Sequence, residues 1–349
     1  MQISLVQYLR CPITSQSFKL QVIKQSSKNY SNGSEQVIEE GILWANDICY
    51  PIIDSIPRLL VEAIIDYSDF LKKHIENFET VKQNIFSDHK TIIDFAIEKN
   101  KRTKESFALE WGLFNYEEDA VWDLDKNGLL DRFLTETNET KESIKNKFIL
   151  DAGCGNGLLD NLIADAGAQV IACDFSNSIV RAYQKNNNVN AFFVQCDIEF
   201  LPFKKETFDI IQCSGVIVCT KNTKDSFKKL IPFASTTGKL SIWLYHPRKD
   251  FMHNLLLSIR GLFIKLPLKL NVLFCKLLIF PPTFIIKKLK GNKQNNREIM
   301  IDILDQFTPQ YRWEYTNDEA KTWFSEQSFK NIKVTTNEVF GFNIVGNKN

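Results

Sequence analysis

The apolar positions of this chain change period along its length. From residue 147 onward, short apolar runs at 148–151, 169–173, 191–196, 208–213 and 239–245 alternate with helical patterns near 158–166, 177–186 and 223–233. Runs this short suit strands covered on both faces, so the alternation predicts an α/β fold with a mostly parallel sheet between layers of helices. Further on, Thr316-Asn317-Asp318-Glu319 has capping-box spacing ahead of Trp323 and Phe324, and the runs near 332–337 and 339–346 read as closing strands. Residues 62–146 carry a different pattern. Phe70, Leu71, Ile75, Phe78, Val81 and Ile85 recur mostly at three- and four-residue steps, which predicts an amphipathic helical bridge. Residues 1–61 break their apolar runs with turn residues and predict a small β-rich module.

Composition narrows the class. A chain of 349 residues, 44% hydrophobic and 24% charged, can bury a sizeable core in one large domain and a smaller one. Its 43 basic and 42 acidic residues leave a formal charge of +1, which argues against a nucleic-acid-coating surface. Eight scattered cysteines, several inside expected strands, and no signal-peptide pattern at the start lead to the expectation of a reducing cytoplasm.

The chemistry gathers where the first long apolar run ends. Phe148-Ile149-Leu150-Asp151-Ala152-Gly153-Cys154-Gly155-Asn156-Gly157 reads as a buried strand running into a glycine turn, with a helix beginning at Leu158. Alternate glycines let backbone approach a ligand closely. Asp174 ends the second run and Asp197 follows the third, while Cys213-Ser214-Gly215 ends the fourth. These residues fall at the carboxyl ends of successive strands, where open α/β sheets bind cofactors. A nicotinamide dinucleotide fits poorly, because its loop wants a glycine or alanine where Leu158 stands.

Asp151-x-Gly153-x-Gly155-x-Gly157, Asp174, Cys196-Asp197-Ile198-Glu199-Phe200-Leu201-Pro202-Phe203 and Phe208-Asp209-Ile210-Ile211 resemble the successive motifs of class I S-adenosylmethionine-dependent methyltransferases. The resemblance covers most of 147–349. It implies a Rossmann-like, mostly parallel seven-stranded sheet with an antiparallel C-terminal hairpin, and S-adenosylmethionine as cofactor. It further implies that Gly153, Gly155 and Gly157 face the methionine part, Asp174 the ribose and Asp197 the adenine amino group. Ile198 would touch the adenine face and Asp151 would orient the loop or hold the methionine amine, while Cys213, at the end of the fourth strand, is expected among the cofactor-binding residues. At the start of the chain, Cys11-Pro12, Tyr50-Pro51-Ile52 and Ile56-Pro57-Arg58-Leu59-Leu60 resemble a zinc-ribbon-like module that activates some tRNA and protein methyltransferases. Thr14, Leu43 and Asn46 stand where ligand cysteines would fall, so the expectation is a metal-free module. The segment Phe107-Ala108-Leu109-Glu110-Trp111-Gly112-Leu113-Phe114, followed by Trp122, resembles the Glu-Trp stretch before some methyltransferase domains. Its aromatics either wall the cofactor cleft or pack the helical bridge onto the core.

Methyl transfer from an activated cofactor needs an aligned nucleophile, a dry site and, for a hydroxyl, a base. After the fourth strand, Val218 and Cys219 stand where many members of that family carry histidines, which leaves His246 as the candidate base with Tyr245 assisting. His74, His89 and His253 have no metal-ligand spacing. A basic insertion at about 247–308 has no Asp or Glu from Phe251 through Arg297. Pro267, Pro281 and Pro282 are expected to interrupt its apolar runs short of a bilayer span, leaving a substrate lid that can touch an anionic membrane surface through residues 251–290. The function expected is therefore a cytoplasmic methyltransferase, peripheral at the inner membrane surface, acting at oxygen on a small or lipid-linked acceptor. An RNA or protein methyltransferase is the alternative, although no Asn-Pro-Pro-Tyr or Asp-Pro-Pro-Tyr follows the fourth strand. A cofactor-binding protein without chemistry is the other.

Overall fold

A computed structural model describes residues 1–115, 124 and 126–349. The chain opens with an antiparallel sheet of β1 (Lys19–Tyr30), β2 (Gly33–Ala45), β3 (Ile48–Ile53) and β4 (Ile56–Pro57), paired in that order. Two short helices lead to α1 (Phe78–Leu113), a single helix of 36 residues and about 54 Å, and then to α2 (Lys126–Thr137). The second half alternates β5 (Phe148–Ala152), α3 (Leu158–Asp165), β6 (Gln169–Asp174), α4 (Ser178–Gln184), β7 (Ala191–Gln195), β8 (Phe208–Ser214), α5 (Thr223–Leu230) and β9 (Ala234–Tyr245). An insertion of α6 (Phe251–Phe263), α7 (Leu268–Leu289) and α8 (Asn296–Phe307) follows. The chain closes with α9 (Asn317–Glu326), β10 (Lys330–Asn337) and β11 (Gly341–Asn347). The Thr316–Glu319 capping box opens α9 as the spacing predicts.

The second sheet has seven strands in the order β10-β11-β9-β8-β5-β6-β7. Strands β7, β6, β5, β8 and β9 are parallel, and β11 pairs antiparallel with both β9 and β10. This is the α/β class and the hairpin-edged sheet that the resemblance implies. Both faces are covered, so neighbouring residues on one strand enter different cores. Ile149, Val170 and Ile210 pack with Phe133 of α2, Ile163 of α3 and Ile179 of α4. Leu150, Ile171 and Ile211 pack with Phe227 of α5, Phe324 of α9 and Leu9 and Phe203.

That second core runs without a break into residues 1–61. The N-terminal sheet is clipped to the β7 edge: Arg10 N–H donates to Pro202 O at 2.7 Å, Lys204 N–H to Tyr8 O at 2.7 Å and Leu59 N–H to Gln195 O at 2.8 Å. The long helix α1 is buried along one stripe whose chemistry changes. Phe78, Ile85, Ile93 and Ala96 are apolar, but Thr103, Ser106 and Glu110 beyond them are polar and just as buried.

The insertion corrects one expectation. Pro281 and Pro282 do not interrupt the apolar run: Leu268–Leu289 is one 22-residue helix with mean hydropathy 1.6, long and apolar enough to cross a bilayer by length and composition. A π-helical turn at Cys275–Ile279 precedes the prolines, which occupy the first positions of the next segment, Phe280–Leu289. The altered hydrogen-bond register there relieves the missing N–H and the ring clash. One side of α7 joins a small core through Cys275 with Ile299, Ile303 and Phe307 of α8. The other side is exposed at Leu273, Leu277, Leu278, Ile285 and Ile286.

Candidate functional site

The turn after β5 needs its glycines twice over. Gly153, Gly155 and Gly157 have φ of +95°, +56° and +70°, in the left-handed region that side chains disfavour. A Cβ at Gly153 would lie 2.3 Å from Val216 Cγ2, one at Gly155 2.8 Å from the Trp111 ring and one at Gly157 2.5 Å from Ala182 Cβ. The turn is tied to the end of β6, where Gly153 N–H and Cys154 N–H both donate to Cys173 O, at 2.7 and 3.0 Å. Asp174 continues the tie. Its Oδ2 accepts from Gly155 N–H at 3.2 Å and its Oδ1 from Ser176 N–H at 2.8 Å. Burial pushes its carboxyl up, and these two donors oppose the shift.

Asp151, at the end of β5, meets Asp160 of α3 underneath the turn. Burial raises both carboxyls, and the charge of Asp151 raises Asp160 further, so of the two Asp160 more strongly favours its neutral form. At the next strand end, Asp197 Oδ1 accepts from Glu199 N–H at 2.9 Å and Ile198 is buried beside it. Asp197 Oδ2 faces Lys99 Nζ of α1 at 3.3 Å, and Lys99 also contacts Glu199. Cys213 is wholly enclosed, and burial pushes its thiol well up. Thus Asp151, the three glycines, Asp174, Asp197 and Ile198 share one carboxyl edge, with Cys213 in the wall behind it.

The two candidates for proton chemistry part company. Tyr245 ends β9 and His246 follows it, and the two side chains meet different partners. His246 Nε2 meets Asn337 Oδ1 at 2.7 Å and its ring tilts over Phe342, in the closing hairpin. Tyr245 is buried, donates to Asp305 Oδ2 at 2.8 Å and carries the Arg312 guanidinium 3.9 Å above its ring. Glu314 binds both Arg312 and His253, so a charged network backs Tyr245 where the insertion meets the sheet.

Helix α1 roofs this edge. The Trp111 ring covers Gly155, Phe107 lies edge-on to Phe175 with centroids 6.3 Å apart, and Arg181 of α4 donates to the carbonyls of Trp111 and Phe114 at 3.0 and 2.6 Å. So the aromatic segment both lies over the glycine turn and packs the bridge onto the core; Trp122 lies outside the described residues. Lys99, Glu110, Asp160 and Arg181 were not among the expected site residues. Among them only Glu110, beside Trp111, carried a signal in the sequence.

The donor set fits S-adenosylmethionine. The glycine turn leaves no room for side chains, each Asp174 oxygen accepts one backbone N–H and has a second lone pair, and Asp151 adds a second buried acid under the turn. A sheet of this order with these groups at successive strand ends is the arrangement that the class I methyltransferase resemblance implies, and residues 149–233 match the family described as "Methyltransferase domain". Among relatives, the ubiquinone biosynthesis O-methyltransferase of Coxiella burnetii (strain RSA 493 / Nine Mile phase I) is 34% identical over 108 residues, 29% of this chain and 45% of that protein. The mitochondrial ubiquinone biosynthesis O-methyltransferase of Schizosaccharomyces pombe is 27% identical over 31% of this chain and 41% of its own. The chain thus spans less than half the length of these curated relatives. Among solved structures, magnesium protoporphyrin IX methyltransferase (ChlM) from Synechocystis PCC 6803 with bound SAH aligns over 71% of this chain and 98% of its own, with 13% identity and a TM-score of 0.42. A SAM-dependent methyltransferase from Aquifex aeolicus aligns over 65% and 100%, with 13% identity and a TM-score of 0.37.

Proposed function

We propose that this protein moves a methyl group from S-adenosylmethionine to an oxygen of a small acceptor carried in a membrane, working at its cytoplasmic face. The observation that carries the reading is the insertion. Next to the cofactor edge it presents an apolar helix that is only 11% buried, within a stretch free of acids from Phe251 through Arg297. An amphiphilic acceptor accounts for such a surface, since its tail stays with the lipid while its head enters the site. The relatives' name supports oxygen as the methylated atom.

The cofactor, when bound, supplies an activated methyl group on a positively charged sulfur. The protein's part is to hold it, to align the acceptor oxygen and to keep water out. In this reading Asp174 takes the ribose hydroxyls, Asp197 and Ile198 take the adenine, and Asp151 takes the methionine amine. Phe107 and Trp111 close the roof, and the acceptor sits beside Tyr245 and Asp305 rather than at His246. We read residues 1–61 as a metal-free relative of zinc-ribbon-like modules, because Thr14 replaces a ligand and Cys11 Sγ lies 3.6 Å from the Tyr50 hydroxyl. One zinc per purified chain by elemental analysis would overturn that assignment.

The acceptor is tested by incubating the protein with methyl-labelled cofactor and total cell extract, then partitioning the products. Label in the organic-extractable fraction is the expected result. Label in RNA or protein would replace the reading with the corresponding macromolecular one, and cofactor binding without transfer to any fraction would leave a binding protein.

A further inference from the structure

Glu110 is one of the described residues whose buried polar atoms lack a partner. It sits on the buried stripe of α1, 3% exposed, one residue before the tryptophan that covers Gly155. Its Oε2 is enclosed and has no hydrogen-bond partner. The charges that act on it are acidic: Asp305 and Asp302 of α8 first, then Asp174 at the end of β6. Cys219 is a further titratable neighbour. Among the described residues the charges acting on Glu110 include no base. Arg312 and Arg260 act instead on Asp305, which also accepts the Tyr245 hydroxyl. A carboxyl buried without a partner is costly, and a structure keeps one where a ligand completes it. Between the ribose acid and Tyr245, the cofactor part that fits a lone carboxylate is its positive charge.

We propose that Glu110 is the anionic partner of the cofactor's sulfonium. The inference rests on S-adenosylmethionine being the cofactor. Burial first, and then the charges of Asp305, Asp302 and Asp174, push the Glu110 carboxyl well up and favour its neutral form until a cation arrives. Arrival of the sulfonium makes the carboxylate favourable, so the proton leaves as the cofactor binds. On transfer, the sulfur–carbon bond breaks with its electron pair returning to sulfur, a carbon–oxygen bond forms to the acceptor, and the acceptor's hydroxyl proton passes to Glu110. Both charges disappear in that step. The product then has a neutral sulfur facing a neutral acid, and nothing electrostatic holds it.

The test needs no acceptor. Titration calorimetry of the full chain with S-adenosylmethionine and, separately, with S-adenosylhomocysteine is run in buffers of different ionisation enthalpy, for the parent protein, Glu110→Gln and the exposed control Glu105→Gln. The parent should release close to one proton with S-adenosylmethionine and none with S-adenosylhomocysteine. Glu110→Gln should abolish the release and weaken S-adenosylmethionine at least tenfold, while S-adenosylhomocysteine binds within about threefold of the parent, which also shows that the variant is folded. Unchanged S-adenosylmethionine affinity and proton release in Glu110→Gln would overturn the inference with the cofactor reading intact. A parent protein that binds neither ligand would overturn the cofactor reading itself.

Discussion

At Asp174 each carboxylate oxygen already accepts one backbone N–H, so the residue builds the turn before it meets a ligand. Asp174→Ala should therefore do two things. If Asp174 takes the ribose hydroxyls as proposed, the change removes charge-assisted hydrogen bonds worth roughly 1.5–3 kcal/mol each, lowering cofactor affinity about 100-fold or more by calorimetry. It also leaves the Gly155 and Ser176 N–H groups without their acceptor, so a measurable loss of stability accompanies the loss of binding, which the sequence alone gave no reason to expect. Asp160 makes a pH prediction. The unfolded chain releases this proton near pH 4, whereas the buried, Asp151-facing carboxyl holds it far higher. The stability tied to that proton is complete below the unfolded value and is lost as pH rises toward the raised folded one. Asp160→Asn stays neutral and still offers a donor to Asp151. Its melting temperature should exceed the parent's by a margin that widens from pH 5 to pH 8, to about 2 °C or more. A constant margin would remove Asp160 from the pH dependence.

At the scale of elements, the strands were legible because burial on both faces leaves near-continuous apolar runs, and the glycine turn because its φ values admit little else. Helix α1 was legible as helix, and its aromatic end as either a wall or a packing surface, but its buried polar stripe was not legible. Its apolar positions mark only the half that packs on the N-terminal region; where it crosses the sheet, the buried positions are Thr103, Ser106 and Glu110, and a polar stripe reads as a solvent face. Lys99 illustrates the difficulty. In sequence it stands in the charged run Lys99-Asn100-Lys101-Arg102, yet its side chain is only 6% exposed against Asp197 and Glu199. Lys99→Met should cost about 3 kcal/mol in chemical denaturation, because it removes the buried cation that Asp197 and Glu199 share, although both acids keep other contacts, Glu199 among them with Lys229. A change within 0.5 kcal/mol, the usual range for a surface substitution, would mean the pair is a surface contact. The proline-bearing helix escaped for a related reason. Local rules end a helix at Pro281, and only the hydrogen-bond register of the preceding π-turn carries it through.

At the scale of the whole molecule, the acid-free insertion lies on the side of the sheet where the strands end, so one orientation brings α7 to a lipid surface with the cofactor edge beside it. Leu273, Leu277 and Ile285 are 48%, 62% and 55% exposed, and exposed Lys265, Lys269, Lys276 and Lys290 interrupt the same surface. Each lysine near an anionic leaflet adds roughly 1 kcal/mol, falling as salt screens it. Apolar burial does not fall with salt, so the two contributions separate. The protein should float with phosphatidylglycerol-containing vesicles at low salt, lose most of its binding to neutral vesicles, and retain a salt-resistant fraction on the anionic ones. The triple variant Leu273→Glu, Leu277→Glu, Ile285→Glu alters only exposed positions, so it should fold and bind cofactor like the parent while failing to float. If that variant floats as well as the parent, α7 is not the membrane contact. If the parent itself does not float at low salt, the exposed face of the insertion serves some other purpose, and the case for a membrane-borne acceptor goes with it.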